Sequence, residues 1–194
     1  MDDPKPRSDD EIGAAHVGQP EILDGPITLV RHDHTWRALY AREADRIRGA
    51  LGDRARSIQH VGSTAVPGLA AKPRIDTDDE DRYLLPLEAL GYVLSVREPD
   101  WHRHRGLKHT APDVNLHVFS TGCVEIERMV RFRDRLRRDP ADRALYERAK
   151  RELAGRTWRY VQHYADAKTA VIEEILVRAG APGPVDACVP SHPR

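Results

Sequence analysis

A chain of 194 residues suits one domain and is long enough to bury a sizeable core. Lys plus Arg and Asp plus Glu both number 31, so no global charge favours nucleic acid or an anionic membrane as a partner. No apolar run approaches the roughly 20 residues of a membrane span, the start Met1-Asp2-Asp3-Pro4 lacks an apolar leader, and Cys123 and Cys188 have no zinc spacing, which together read as a cytoplasmic protein with reduced thiols.

Residues 1–20 are rich in Pro, Asp and Gly and are expected to be a disordered lead-in to a domain over 21–180, with 181–194 as a disordered tail. Pro26 to Val30 alternates and is β-branched, which predicts a short strand. Trp36, Leu39, Tyr40, Ala44, Ile47 and Leu51 recur at helical steps and stop at Gly52. Ser57 to Val61 predicts a strand that runs into Gly62-Ser63. Val66-Pro67-Gly68 is a turn signal. A short helix is expected from Tyr83 to Leu90, ended by Gly91, and then a strand over Tyr92–Val96. Pro99 to Pro112 reads as a loop. Val114 to Phe119 predicts a strand with Asn115 and His117 on the face opposite the valines. Helices are expected over Glu125–Arg138, Ala141–Ala154 and Trp158–Ala179, divided by Asp139-Pro140 and Gly155. The fold class is therefore α/β: a small mixed sheet with flanking helices and a C-terminal helical half.

The chemistry concentrates between Ser57 and Asp78. Gly62, without a Cβ, lets backbone N–H groups approach an anion, and the Ser63 hydroxyl can add a hydrogen bond to a phosphate oxygen. Lys72 follows the turn and can reach the same phosphate, or is a solvated lysine. Asp76 and Asp78, if on a strand, share a side at period two as hard-oxygen ligands for Mg²⁺. Asp78 reads equally as a capping residue ahead of Tyr83. His117 fits a general base, a metal ligand or a hydrogen-bonded structural residue. Asp113 at the edge of that strand is the nearest candidate for a third carboxylate.

The segment Trp101 to His109 reads as an exposed loop, or as a mobile flap. In the flap, Arg103, Arg105 and Lys108 would neutralise phosphate and Trp101 would stack on a base. A zinc site from His102, His104 and His109 is the weaker reading. Tyr164 and Lys168 share a helix face, so Lys168 either meets a phosphate or is a surface charge. The arginines between Arg128 and Arg138 read as a solvated helix face, with Arg131 or Arg135 as cleft candidates.

The stretch HVGSTAVPGLAAKP, with Asp76-x-Asp78 after it, resembles the GrpB family of the nucleotidyltransferase superfamily, and the resemblance runs from about Ile27 to Ala179. It implies a nucleotidyltransferase-like core followed by helices, with Lys168 in the family's closing segment. The chain departs from the family pattern after Asp76, where Thr77-Asp78-Asp79-Glu80-Asp81 stands in place of an apolar strand. Together these readings predict an enzyme that takes a nucleoside triphosphate with Mg²⁺ and transfers a nucleotidyl group to a small acceptor. The alternative is a non-catalytic accessory module of the kind fused to dephospho-CoA kinase. A third reading is that the shortened strand prevents tight folding.

Overall fold

Four residues of strand, Pro73–Asp76, join the edge strand of the sheet to its centre. A computed structural model describes residues 6–67, 73–76 and 80–183, with the backbone alone for 73–76 and 81. The strands are β1 (Ser57–His60), β2 (Pro73–Asp76), β3 (Val93–Glu98), β4 (His104–Thr110) and β5 (Asp113–Phe119). They form one mixed sheet in the order β1-β2-β5-β4-β3. β2 pairs antiparallel with β1 and parallel with β5, while β4 is antiparallel to both β3 and β5. The strand that the sequence marks as shortened is thus hydrogen-bonded on both edges.

The helices are α1 (Asp9–Ala15), α2 (Thr35–Leu51), α3 (Glu80–Ala89), α4 (Val124–Arg138), α5 (Pro140–Ala154), α6 (Val161–Asp166) and α7 (Thr169–Arg178). Alternation along β5 turns Val114, Leu116 and Val118 to one side of the sheet, where they join Ala44, Ile47 and Leu51 of α2 and Tyr83 and Leu87 of α3 in the main core. α2 ends where Gly52 takes a φ of 56°, a backbone state that glycine adopts without strain. A second core joins Phe132 and Leu136 of α4, Tyr146 of α5, Ile175 and Leu176 of α7, and Val66. α5 starts on Asp139, whose carboxylate accepts from the N–H groups of Ala141 and Asp142, with Pro140 at its first turn. This is the expected small mixed sheet with flanking helices and a C-terminal helical half.

Four local expectations are corrected. Residues 9–15, expected within the disordered lead-in, form α1, with a reciprocal Ser8–Glu11 capping box and a buried Ile12; composition hid a seven-residue helix held by one cap and one apolar anchor. Pro26–Val30 forms no strand. Gly25 bridges Trp158, and Leu29 and Val30 stay exposed, so alternation alone finds no pairing partner there. The predicted helix Trp158–Ala179 divides into α6 and α7 at Ala167-Lys168. The expected loop contains β4, a strand with few apolar residues whose ladders to β3 and β5 supply the backbone hydrogen bonds.

Candidate functional site

The face of the sheet opposite α2 and α3 carries Asn115, His117 and Phe119 of β5 and His104 of β4, and the Gly62–Ser63 corner follows the edge strand β1. β1 stops at His60, and Gly62 then takes φ 75° and ψ −163° before a single 3-10 turn, Ser63–Ala65. That conformation is close to glycine-only. Two arginines of α4 hold the carbonyls on either side of the turn. Arg133 Nη1 donates to His60 O at 3.1 Å, and Arg137 donates to Ala65 O through Nε at 2.8 Å and Nη2 at 2.6 Å. The α4 arginines are therefore not simply a solvated face. Arg135, one of the two expected to approach the cleft, is bound to Asp139 and Asp142, and Arg131 to Glu127 and Gly180 O. His60 stacks on Tyr40 at 4.5 Å. Burial, with Arg137 and Arg133 adding to it, pulls His60 down to about 4, which leaves the imidazole neutral at neutral pH.

Ser63 is 6% exposed and accepts a hydrogen bond from Lys150 Nζ of α5 at 3.2 Å. Lys150 is itself only 7% exposed, and among the described residues no carboxylate pairs with it. Burial lowers it to about 8, against a small opposing pull from Glu147. The ring of Tyr146 lies 5.7 Å from its ammonium. Burial pushes Tyr146 up to about 12, with a hydrogen bond to Ser63 opposing and the nearby Tyr164 phenol adding to the rise. The Tyr164 hydroxyl is buried and has no hydrogen-bond partner among the described residues. Lys168 Nζ lies 3.9 Å over the Tyr164 ring. A buried cation that no carboxylate among the described residues compensates therefore faces the corner, and an orphaned buried hydroxyl belongs to the neighbouring Tyr164.

Further along the same face, His117 of β5 is half-buried. Its Nδ1 lies 2.8 Å from His104 Nε2 of β4, and His104 Nδ1 lies 2.6 Å from Glu98 Oε2 of β3. Glu98 Oε1 accepts from Arg7 Nη1 at 2.5 Å. Burial alone would raise the Glu98 carboxyl, but the bond from His104 and the Arg7 guanidinium outweigh it and hold Glu98 below its usual value. The two imidazole planes lie 15° apart with ring centres 5.1 Å apart, and Phe119 lies 4.7 Å and Trp101 5.4 Å from the His104 ring.

The other expected residues divide by location. Asp76 ends β2, and its Cα pairs with Ser57 and with Phe119. It is thus three ladder steps, about 10 Å, from the His60–Pro73 pair beside the corner, so one phosphate does not span the two. Lys72 and Asp78, like the side chain of Asp76, lie outside the described residues. Asp113 begins β5, six residues and about 20 Å from the Phe119 end that pairs with Asp76. One flap residue is corrected. Arg105 pairs with Val118 on the α2–α3 side of the sheet and is bound to Glu80 Oε2 at 2.6 Å, because period two sends His104 and Arg105 to opposite faces. Arg103 is exposed in the β3–β4 turn at φ 49°. The zinc reading also fails: His109 bonds Pro112 O while His104 bonds Glu98 and His117. Among the described residues no group of three or more His, Cys, Asp or Glu could hold a metal ion.

Sequence reasoning missed Lys150 and Glu98. The signal for Lys150 was present: α5 buries Tyr146, Lys150, Leu153 and Ala154 at steps of four, three and one, so the lysine interrupts an apolar stripe. Glu98 and His104 were hidden by the loop reading of β4, because their contact is a cross-strand pair.

This chain is 51% identical over 183 residues to a UPF0157 protein of Halalkalibacterium halodurans, covering 91% of this chain and 94% of that one. It is 44% identical to a UPF0157 protein of Streptomyces coelicolor, covering 85% and 89%. A dephospho-CoA kinase of Mycolicibacterium paratuberculosis is 29% identical over 200 residues, which cover 86% of this chain and 49% of the kinase. The crystal structure of conserved protein GrpB from Enterococcus faecalis superposes with a TM-score of 0.66 at 26% identity, covering 77% of this chain and 95% of that one. The family described as GrpB protein matches residues 26–178, and with the shared fold this places the chain in the GrpB family.

Proposed function

We propose that this GrpB-family protein binds the polyphosphate of a nucleoside triphosphate at the Gly62–Ser63 corner and transfers the nucleotidyl group to a small acceptor. The observation that carries this is Lys150: a buried cation that no carboxylate among the described residues pairs with, directed at the hydroxyl of a glycine-serine turn. Lys168 and the Tyr164 hydroxyl extend the anion-binding wall. The offset between the corner and Asp76 suits a chain of phosphates better than a single one. The described residues alone do not assemble a metal site, so Mg²⁺ belongs to this proposal through Asp76 and Asp78. Bound there, it would neutralise charge on the phosphates. His117 accepts the proton of the acceptor hydroxyl as its oxygen bonds the α-phosphorus and pyrophosphate leaves.

Isothermal titration of ATP and GTP with Mg²⁺ tests the reading, using the wild type, Lys150→Met and Asp76→Ala. Binding by the wild type that weakens in both variants supports it. Identical heats for all three count against it. A second reading, an accessory nucleotide-binding module, is favoured by the match to half the length of a dephospho-CoA kinase. Saturable binding without turnover across a panel of nucleotides and hydroxyl acceptors would select that reading.

A further inference from the structure

We propose that Glu98 and His104 are positioning residues that hold His117 as its Nδ1–H tautomer and receive, one ring inward, the charge of a proton taken up at His117 Nε2. This rests on the reading of His117 as proton acceptor, but its logic is a chain of hydrogen bonds already formed. Arg7 and His104 keep Glu98 ionised, and a carboxylate only accepts. His104 Nδ1, 2.6 Å away, therefore carries the hydrogen. With His104 neutral before the reaction, its other nitrogen is an acceptor, so His117 Nδ1 at 2.8 Å donates to His104 Nε2. The lone pair of His117 falls on Nε2.

The proton balance follows. A hydroxyl proton enters at His117 Nε2, and the Nδ1 proton passes to His104 Nε2. His117 ends neutral with hydrogen on Nε2. His104 becomes an imidazolium, donating through Nδ1 to Glu98 and through Nε2 to His117. The charge rests on a ring that is 5% exposed, bonded to a carboxylate and stacked on Phe119, so the ion pair forms where screening by solvent is weak. Arg7 is tied in turn to α6, where its backbone N–H donates to Asp166 at 3.0 Å. The segment before α1 is thereby part of the support.

The test is long-range ¹H–¹⁵N spectroscopy of the full chain labelled at histidine nitrogen, with no ligand added. His117 is expected to show a protonated, pyrrole-type Nδ1 and a pyridine-type Nε2. In Glu98→Leu and His104→Phe these two shifts are expected to move away from the pure Nδ1–H pattern of the wild type. Phe119→Leu disturbs the same rings without removing a hydrogen bond, and retention of the tautomer there supports the assignment. Three results would overturn it: a wild-type His117 protonated at Nε2, an unchanged tautomer in both relay variants, or the same loss in Phe119→Leu. Because no nucleotide is present, failure here is distinct from failure to bind Mg²⁺–ATP.

Discussion

Replacing Lys150 with methionine should make the free protein more stable and the liganded protein less so. The drop from the ordinary lysine value of 10.5 to about 8 corresponds to about 3 kcal/mol against the charged form in the folded state. Methionine keeps most of the buried stem and removes that charge. It also leaves Ser63 without its donor, at a cost of about 1 kcal/mol. The net gain is about 2 kcal/mol near neutral pH, or a Tm higher by about 4–8 °C for a domain of this size. The sign with pH is fixed as well. Between about 8 and 10.5 the unfolded lysine holds a proton that the folded one has lost, so wild-type stability rises with pH through that window. The variant should be flat there, and above the upper end of the window the wild type should be the more stable, by the roughly 1 kcal/mol of the Ser63 hydrogen bond. Urea denaturation followed by circular dichroism across pH, with and without inorganic triphosphate, reads every part of this. Triphosphate should raise the wild-type midpoint and leave Lys150→Met unmoved. A variant less stable than wild type at neutral pH, or equally stabilised by triphosphate, would refute the reasoning.

Gly62→Ala should cost about 1–3 kcal/mol, because a side chain at φ 75° and ψ −163° is strained whatever surrounds it; a denaturation midpoint equal to wild type would contradict the corner's geometry. Asp142 lies between Arg178 and Arg135, whose bonds outweigh its desolvation and hold its carboxyl below the usual range. Its contribution is therefore present above the unfolded value near 4 and is lost as pH falls through the lower folded value. Asp142→Asn should flatten that acid limb, and an unaltered limb would show that the pair of arginines does not act through this carboxylate. Arg105→Met should leave triphosphate binding unchanged, since Arg105 is engaged by Glu80 on the opposite face of the sheet. A loss of binding measured by calorimetry would return it to the site.

Where one face of an element meets the core, its sequence period was enough. Val114, Leu116 and Val118 announced β5 and left His117 on the other side, and Ala44, Ile47 and Leu51 announced α2. The glycine-serine corner was visible because Gly62 must adopt a conformation other residues avoid. What escaped notice depends on pairing across distance. β4 carries His104, Arg105, Lys108 and His109, and only its neighbours in the sheet make it a strand. Once it is one, His104 meets both Glu98 and His117, a contact with no trace in local spacing. Lys150 was legible in principle as a charge inside a buried stripe, yet its meaning required knowing that the stripe faces Ser63. Lys168 was chosen from its helix face. The structure sets it over the Tyr164 ring, while Lys150 makes the contact with Ser63.

The most direct measurement is the titration of the Lys150 ammonium by heteronuclear NMR, in the free protein and with saturating inorganic triphosphate. The free value should lie near 8, and an anion seated at Ser63 should raise it to the ordinary lysine range or above. A free lysine that already titrates at its ordinary value, or one whose titration triphosphate does not move, would contradict an anion site at this corner.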